Sequence, residues 1–119
     1  MTRFHGIKSG DIILINLDPI MGCEQSGVRP AIVVSNDLMH QKSKRIIVCP
    51  ITNNLMPWPT KLAMPSTAKT NGMVLTDQMR SIDIQSRFIR RLESVSEDFT
   101  AIVRSYVGRL LELEITSTP

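Results

Sequence analysis

The sequence predicts an α+β protein, a small curled sheet of short strands closed by one C-terminal helix. Two observations carry this. Short apolar and β-branched runs, divided by Gly, Pro and Asn, recur through the first three quarters of the chain. After residue 96 the pattern changes to apolar residues at alternating steps of three and four, the period of a helix lying on a sheet.

The elements follow in order. Gly10-Asp-Ile-Ile-Leu-Ile-Asn-Leu17 gives a strand near 11–17. Ala31 to Val34 is an unbroken small or β-branched run, a core strand near 30–35, with Pro30 at its first position because proline has no backbone donor. Arg45-Ile-Ile-Val-Cys-Pro-Ile-Thr52 is a third strand. The prolines of Asn53-Asn-Leu-Met-Pro-Trp-Pro-Thr60 exclude a ladder strand, so 53–60 is a loop. Strands near 61–64, 72–76 and 89–95 follow, with a turn at Asn71-Gly72 and a weakly signalled helical turn at Ile84–Arg87. Ser96 is a good N-cap, and Glu97 and Asp98 put negative charge in the first helical turn. Phe99, Ile102, Val103, Tyr106, Val107, Leu110 and Leu111 make the apolar stripe, read here as core.

The chain of 119 residues suits a single domain spanning 1–119, large enough for a core and small enough to gain from association. No apolar run approaches the roughly 20 residues of a membrane span, and the N-terminus lacks a signal peptide's apolar centre, so a cytoplasmic protein without membrane contact is expected. Cys23 and Cys49 are too few for a disulfide framework and lack metal-ligand spacing. Cys49 reads as a buried small hydrophobe, and Cys23 as a loop thiol without an activating basic neighbour. His5 and His40 lie 35 residues apart, which argues against a two-histidine site. No zinc-protease, phosphate-loop or nucleophile-elbow motif is present, and no metal or cofactor is expected.

Charge is asymmetric. Residues 1–91 hold twelve Lys/Arg against six Asp/Glu, whereas residues 92–119 hold two against five. A basic body with an acidic end suits a polyanion-binding surface. Lys42, Lys44 and Arg45 form one basic cluster and Arg87, Arg90 and Arg91 another, each equally readable as a solvated face.

The most informative stretch is Gly22 to Asp37, G-C-E-Q-S-G-V-R-P-A-I-V-V-S-N-D. A glycine-flanked polar loop delivers Arg29 to the mouth of a core strand. A guanidinium held there is a fork for phosphate or carboxylate, or a structural partner of Glu24 or Asp37. In order, G-D-I, E-Q-x-G-x-R-P, V-S-N-D, P-I-T and D-Q-x-R-x-I-D resemble the PemK/MazF family of toxins from bacterial toxin–antitoxin pairs, from about Gly10 to about Leu111.

That resemblance implies a small SH3-like β-barrel of the CcdB/PemK type with a C-terminal helix, assembled as a homodimer. It implies a metal-independent, sequence-specific endoribonuclease acting on single-stranded RNA. The ribose 2′-OH attacks the adjacent phosphate, leaving a cyclic phosphate and a 5′-OH. Arg29 would stabilise the phosphorane, Thr52 would hold a non-bridging oxygen, and Asp77 matches the aspartate that serves some members as base. Glu24 and Gln25 belong to the loop that covers RNA; Asn53, Trp58, Arg80 and Arg87 are further RNA-binding candidates. Trp58 could equally pack on its own domain, and Arg80 with Asp83 could equally be an internal ion pair. Leu75 stands where some members carry a basic residue, Cys23 where some carry histidine, and Asn53 where serine is common, which places the site nearer the MazF pattern. The implied partners are RNA and an antitoxin with an acidic, disordered C-terminal segment, DNA being met only through the antitoxin complex. The alternative is a non-catalytic toxin on the same barrel, like the gyrase poison that uses a tryptophan near its C-terminus. Here no aromatic residue follows Tyr106.

Overall fold

The computed structural model describes residues 6–18 and 27–113. It contains β1 (Asp11–Asn16), β2 (Val28–Val33), α1 (Asp37–Lys42), β3 (Arg45–Thr52), β4 (Lys61–Ala63), β5 (Met73–Leu75), β6 (Arg80–Asp83), α2 (Ile84–Arg87), β7 (Phe88–Ser94) and α3 (Glu97–Leu110). A 3-10 turn, Thr76–Gln78, joins β5 to β6. The seven strands form an antiparallel sheet in the order β4-β5-β3-β2-β1-β7, with β6 paired to β3. This is the expected α+β architecture with its C-terminal helix.

β3 organises the fold because it is the longest strand and both its edges are used. One edge pairs with β2; the other pairs with β6 along Arg45–Val48 and with β5 at Ile51–Thr52. The central strands are apolar on both faces, which explains why they read as continuous rather than alternating runs. One face carries Ile13, Ile15 and Leu17 of β1 and its exit, Ala31, Val33, Ile46, Val48 and Ile82. The opposite face carries Ile12, Ile32, Cys49, Ile51 and Val74 and is covered by Val103, Phe99 and Val107 of α3.

Three expectations are corrected. Pro30 is the third residue of β2, not its first; it is tolerated where the β3 ladder has ended, since β3 pairs only from Ala31 onward. α1 and β6 were not anticipated: both are short, and α1 has no apolar stripe of its own. Finally, α3 buries only part of its stripe. Val103 is buried and Phe99 and Val107 pack on the sheet, while Ile102, Leu110 and Leu111 remain exposed. Ile102 lies about 100° around the helix from Val103, so a helix resting on one sheet face along 99-103-107 turns that second row outward.

Candidate functional site

Antiparallel partners project from the same side of a sheet, and residues two apart in one strand do the same. β2 and β3 pair Val33 with Val48 and Ala31 with Pro50; the ladder stops there, and its direction, extended by two residues, points Arg29 toward Thr52. β3 and β6 pair Ile46 with Ile82 and Val48 with Arg80. Along this face apolar residues (Ile46, Ile82, Val33 and Val48) give way to Arg80, which is paired with Val48, and then to Thr52 and Arg29. A cavity of about 440 Å³ opens there, walled by Leu17 and Pro50 on one side and by Asp77, Gln78, Arg80 and Ser81 on the other. Arg29, Thr52, Asp77 and Arg80, scattered between residues 29 and 80, are thus brought toward one half of the sheet.

Thr52 is buried, and its Oγ1 accepts a 3.1 Å hydrogen bond from the Asn54 N–H, which leaves the hydroxyl proton to donate. Its backbone is approached by Gly72, at φ +130°, where a Cβ would stand 2.4 Å from the Thr52 carbonyl oxygen. Only glycine fits that contact. Asp77 is exposed on the 3-10 turn. The turn is fastened by Thr76, whose hydroxyl and N–H both donate to the Thr60 carbonyl, at 2.5 and 3.3 Å. Asp18 accepts from the Gly27 N–H at 2.9 Å and Leu17 donates to the Gly27 carbonyl, and the φ of +74° at Gly27 suits glycine.

Arg80 lines the cavity, and no ion pair to Asp83 forms: the Asp83 carboxylate caps α2, accepting from the Gln85 N–H and the Ser86 hydroxyl. Arg87, expected at the RNA surface, has a structural task instead. Its guanidinium donates to the carbonyls of Asn16 and Asp18, at 3.1 and 2.6 Å, and so holds the exit of β1. Arg91 pairs at 3.2 Å with the buried Asp11, and Arg45 donates to Ser81. Of the two basic clusters, then, Lys42, Lys44 and Arg90 remain as exposed charge without such a bond. Asn53 is exposed beside Thr52, and Trp58 is exposed rather than packed on its own domain. Glu24, Gln25 and Cys23 lie outside the described residues.

Cys49 is buried in the sheet; that burial, with the negative Asp77 as a lesser cause, pushes its thiol up to about 12, so it is no nucleophile. His40 is buried and structural, bridging the Ser35 hydroxyl and the Ile7 carbonyl, at 2.5 and 3.1 Å. The sequence reading missed Gln78 and Met79 as cavity residues. The alternation of Arg80 and Ile82 was the available signal, too short in the four-residue β6 to stand out, and Gln78 lies before it on the 3-10 turn.

The sequence profile of the PemK-like, MazF-like toxins of type II toxin–antitoxin systems matches residues 8–111. The chain belongs to this family. It is 32% identical over 114 residues to endoribonuclease PemK of Escherichia coli, covering 92% of this chain and 84% of that protein. The crystal structure of MazF from Deinococcus radiodurans superposes with a TM-score of 0.85 at 31% identity, over 92% of this chain and all of that one. A MazE–MazF complex from the same organism matches at a TM-score of 0.77 and 26% identity, over 93% of this chain and all of that one. The toxin's polar sheet end therefore sits in a fold shared with proteins named as RNA-cleaving toxins.

Proposed function

We propose that this toxin is an endoribonuclease that cuts single-stranded RNA at the polar end of the sheet, with Arg29 and Thr52 as its principal groups. The observation that supports the reading is that the β2–β3 register, extended beyond Ala31 and Pro50, directs Arg29 and a Thr52 hydroxyl with a proton to donate toward the end of the sheet where a cavity of base-accommodating size opens. In the reaction the 2′-oxygen loses its proton and bonds to phosphorus, the P–O5′ bond breaks, and O5′ takes a proton. Arg29 stabilises the phosphorane charge and Thr52 donates to a non-bridging oxygen. Arginine's high pKa makes it a poor free base, so Asp77, exposed at the cavity edge, is the candidate acceptor of the 2′-OH proton. Arg80 and Asn53 flank the same end and contact RNA. No metal or cofactor takes part.

The partner is an antitoxin, by likeness to the MazE–MazF complex, whose acidic disordered C-terminal segment lies over the basic end and silences it. DNA is met only through that complex. A second copy of the toxin covers the exposed row Ile102, Leu110 and Leu111 of α3. Among the described residues no helix is long and apolar enough to cross a membrane, and the toxin works in the cytoplasm.

The test is incubation of purified toxin with a long single-stranded RNA in EDTA, beside Arg29→Ala and Asp77→Asn. Cleavage at defined sites with 5′-OH ends, lost by a hundredfold or more in a folded Arg29→Ala, is the expected result. Wild-type cutting by Arg29→Ala would overturn its role, and full activity of Asp77→Asn would remove that residue from the mechanism.

A further inference from the structure

We propose that the loop between β3 and β4 is a preorganised base-stacking platform, formed by Leu55, Met56 and Trp58, and that Lys61 is the positioning residue that holds it. The proposal rests on the endoribonuclease reading and names how unpaired bases beside the cut phosphate are held.

Leu55, Met56 and Trp58 are 64%, 71% and 64% exposed, and neither apolar core includes them. Adjacent apolar side chains left in water normally mark a binding surface. The backbone beneath them is nevertheless tied. Asn54 donates to the Thr52 hydroxyl, and Met56 donates to the Asn54 side chain at 3.0 Å. The Lys61 ammonium then clasps the loop from within, donating to the carbonyls of Asn54 and Met56 at 3.1 and 2.9 Å, while its N–H donates to the Trp58 carbonyl at 2.9 Å. Pro57 and Pro59 restrict the tip further. The foot of the loop is fastened to the other side of the site, since Thr76, next to Asp77, donates twice to the Thr60 carbonyl. Thr60 Oγ1, buried there, is the one buried side-chain atom among the described residues without a hydrogen-bond partner.

The loop therefore starts at Thr52 and ends beside Asp77, and it presents apolar surface on a scaffold ordered in advance. Ordering before binding removes the entropy that a floppy loop would lose on contact. Charge at the loop favours a nucleic acid as the occupant: between Thr52 and Thr76 there is no acidic residue, while Lys61 and Lys69 supply two positive charges. Unpaired bases stack on such an aromatic surface whatever their identity.

Trp58 is the chain's single tryptophan, so its emission reports the platform directly. The probe is a single-stranded 2′-O-methyl RNA of mixed sequence, which cannot be cut, with the same strand in a duplex as control. Quenching of Trp58 by the single strand and not by the duplex is expected. Lys61→Met should weaken that binding and raise the KM for RNA cleavage, each by roughly tenfold, with kcat within about threefold; Lys61→Arg, which keeps the donors, should restore both. Trp58→Leu, a change at an exposed site that leaves the core intact, should raise KM similarly. Unchanged emission with the oligonucleotide, or unchanged KM in both Lys61→Met and Trp58→Leu, would overturn the platform even while the wild-type toxin cleaves RNA. Quenching by an acidic peptide but not by RNA would overturn it in favour of a protein partner. Quenching without any RNA cleavage would uphold the platform and defeat the nuclease reading instead.

Discussion

Thr52 shows how much a single side chain at this site is asked to do. Its hydroxyl oxygen accepts from Asn54, its proton is left to donate, in the proposed mechanism to a phosphate oxygen, and Gly72 packs against its carbonyl. Thr52→Ala should lower kcat about a hundredfold while RNA binding changes little, and Thr52→Ser, which keeps both bonds, should stay within about tenfold of wild type. Steady-state cleavage of a short RNA measures both; equal loss of binding and turnover in Thr52→Ala would make the residue structural. At this scale the sequence is legible in part: the motif sets Arg29 on a loop at the mouth of a core strand, whereas the structure includes it as the second residue of β2. The sequence is silent on the partners of Arg87 and Arg91, because a charge's partner depends on residues remote in the chain. Asn16 and Asp18 lie 71 and 69 positions from Arg87, and nothing local to Arg87 announces them.

At the scale of elements, β7 holds the turn before β5 through one carboxylate. Glu93 accepts from the N–H groups of Lys69 and Thr70, at 3.1 and 2.7 Å. Desolvation pushes the Glu93 carboxyl up, but hydrogen bonds from the Thr70 side chain and the two N–H groups, with the Lys69 charge, outweigh it and hold the carboxyl below its ordinary 4.5. A carboxyl depressed by folding stabilises the folded state above the unfolded value and loses that contribution as pH falls through the folded one. Glu93→Gln should therefore lower stability near pH 7 by about 1 kcal/mol, a few degrees in Tm, with solvent screening keeping the figure small. The gap between variant and wild type should narrow as pH falls below the ordinary 4.5 and through the lower folded value; thermal melts across pH check it, and a constant gap would refute the linkage. The long elements were readable because β1, β2, β3 and α3 each show several periods of their pattern. α1 and β6 were not, although Asn36 and Asp37 are proper capping residues, because six and four residues carry too little periodicity.

At the scale of the whole molecule, the exposed row on α3 is apolar surface with a second copy as its proposed cover. Ile102→Glu combined with Leu110→Glu should leave the monomer folded and weaken self-association by at least about 2 kcal/mol, some thirtyfold in Kd. Sedimentation at a series of concentrations measures this. A monomeric wild-type toxin, or an unchanged dimer in the double variant, would refute α3 as the contact.

By itself the sequence determined the α+β class, the main strands, the terminal helix and, through its ordered motifs, the toxin family. These are local patterns, set by periodicity, capping and the chemistry of short runs. Only the tertiary structure decided that Arg80 lines the cavity, that Arg87 bonds the carbonyls at the exit of β1 and Arg91 pairs with Asp11, that Ile102, Leu110 and Leu111 of the α3 stripe face out, and that the Trp58 loop is clasped by Lys61. Exposure and charge pairing depend on contacts between residues distant in sequence, and those contacts exist only once the sheet has closed around β3.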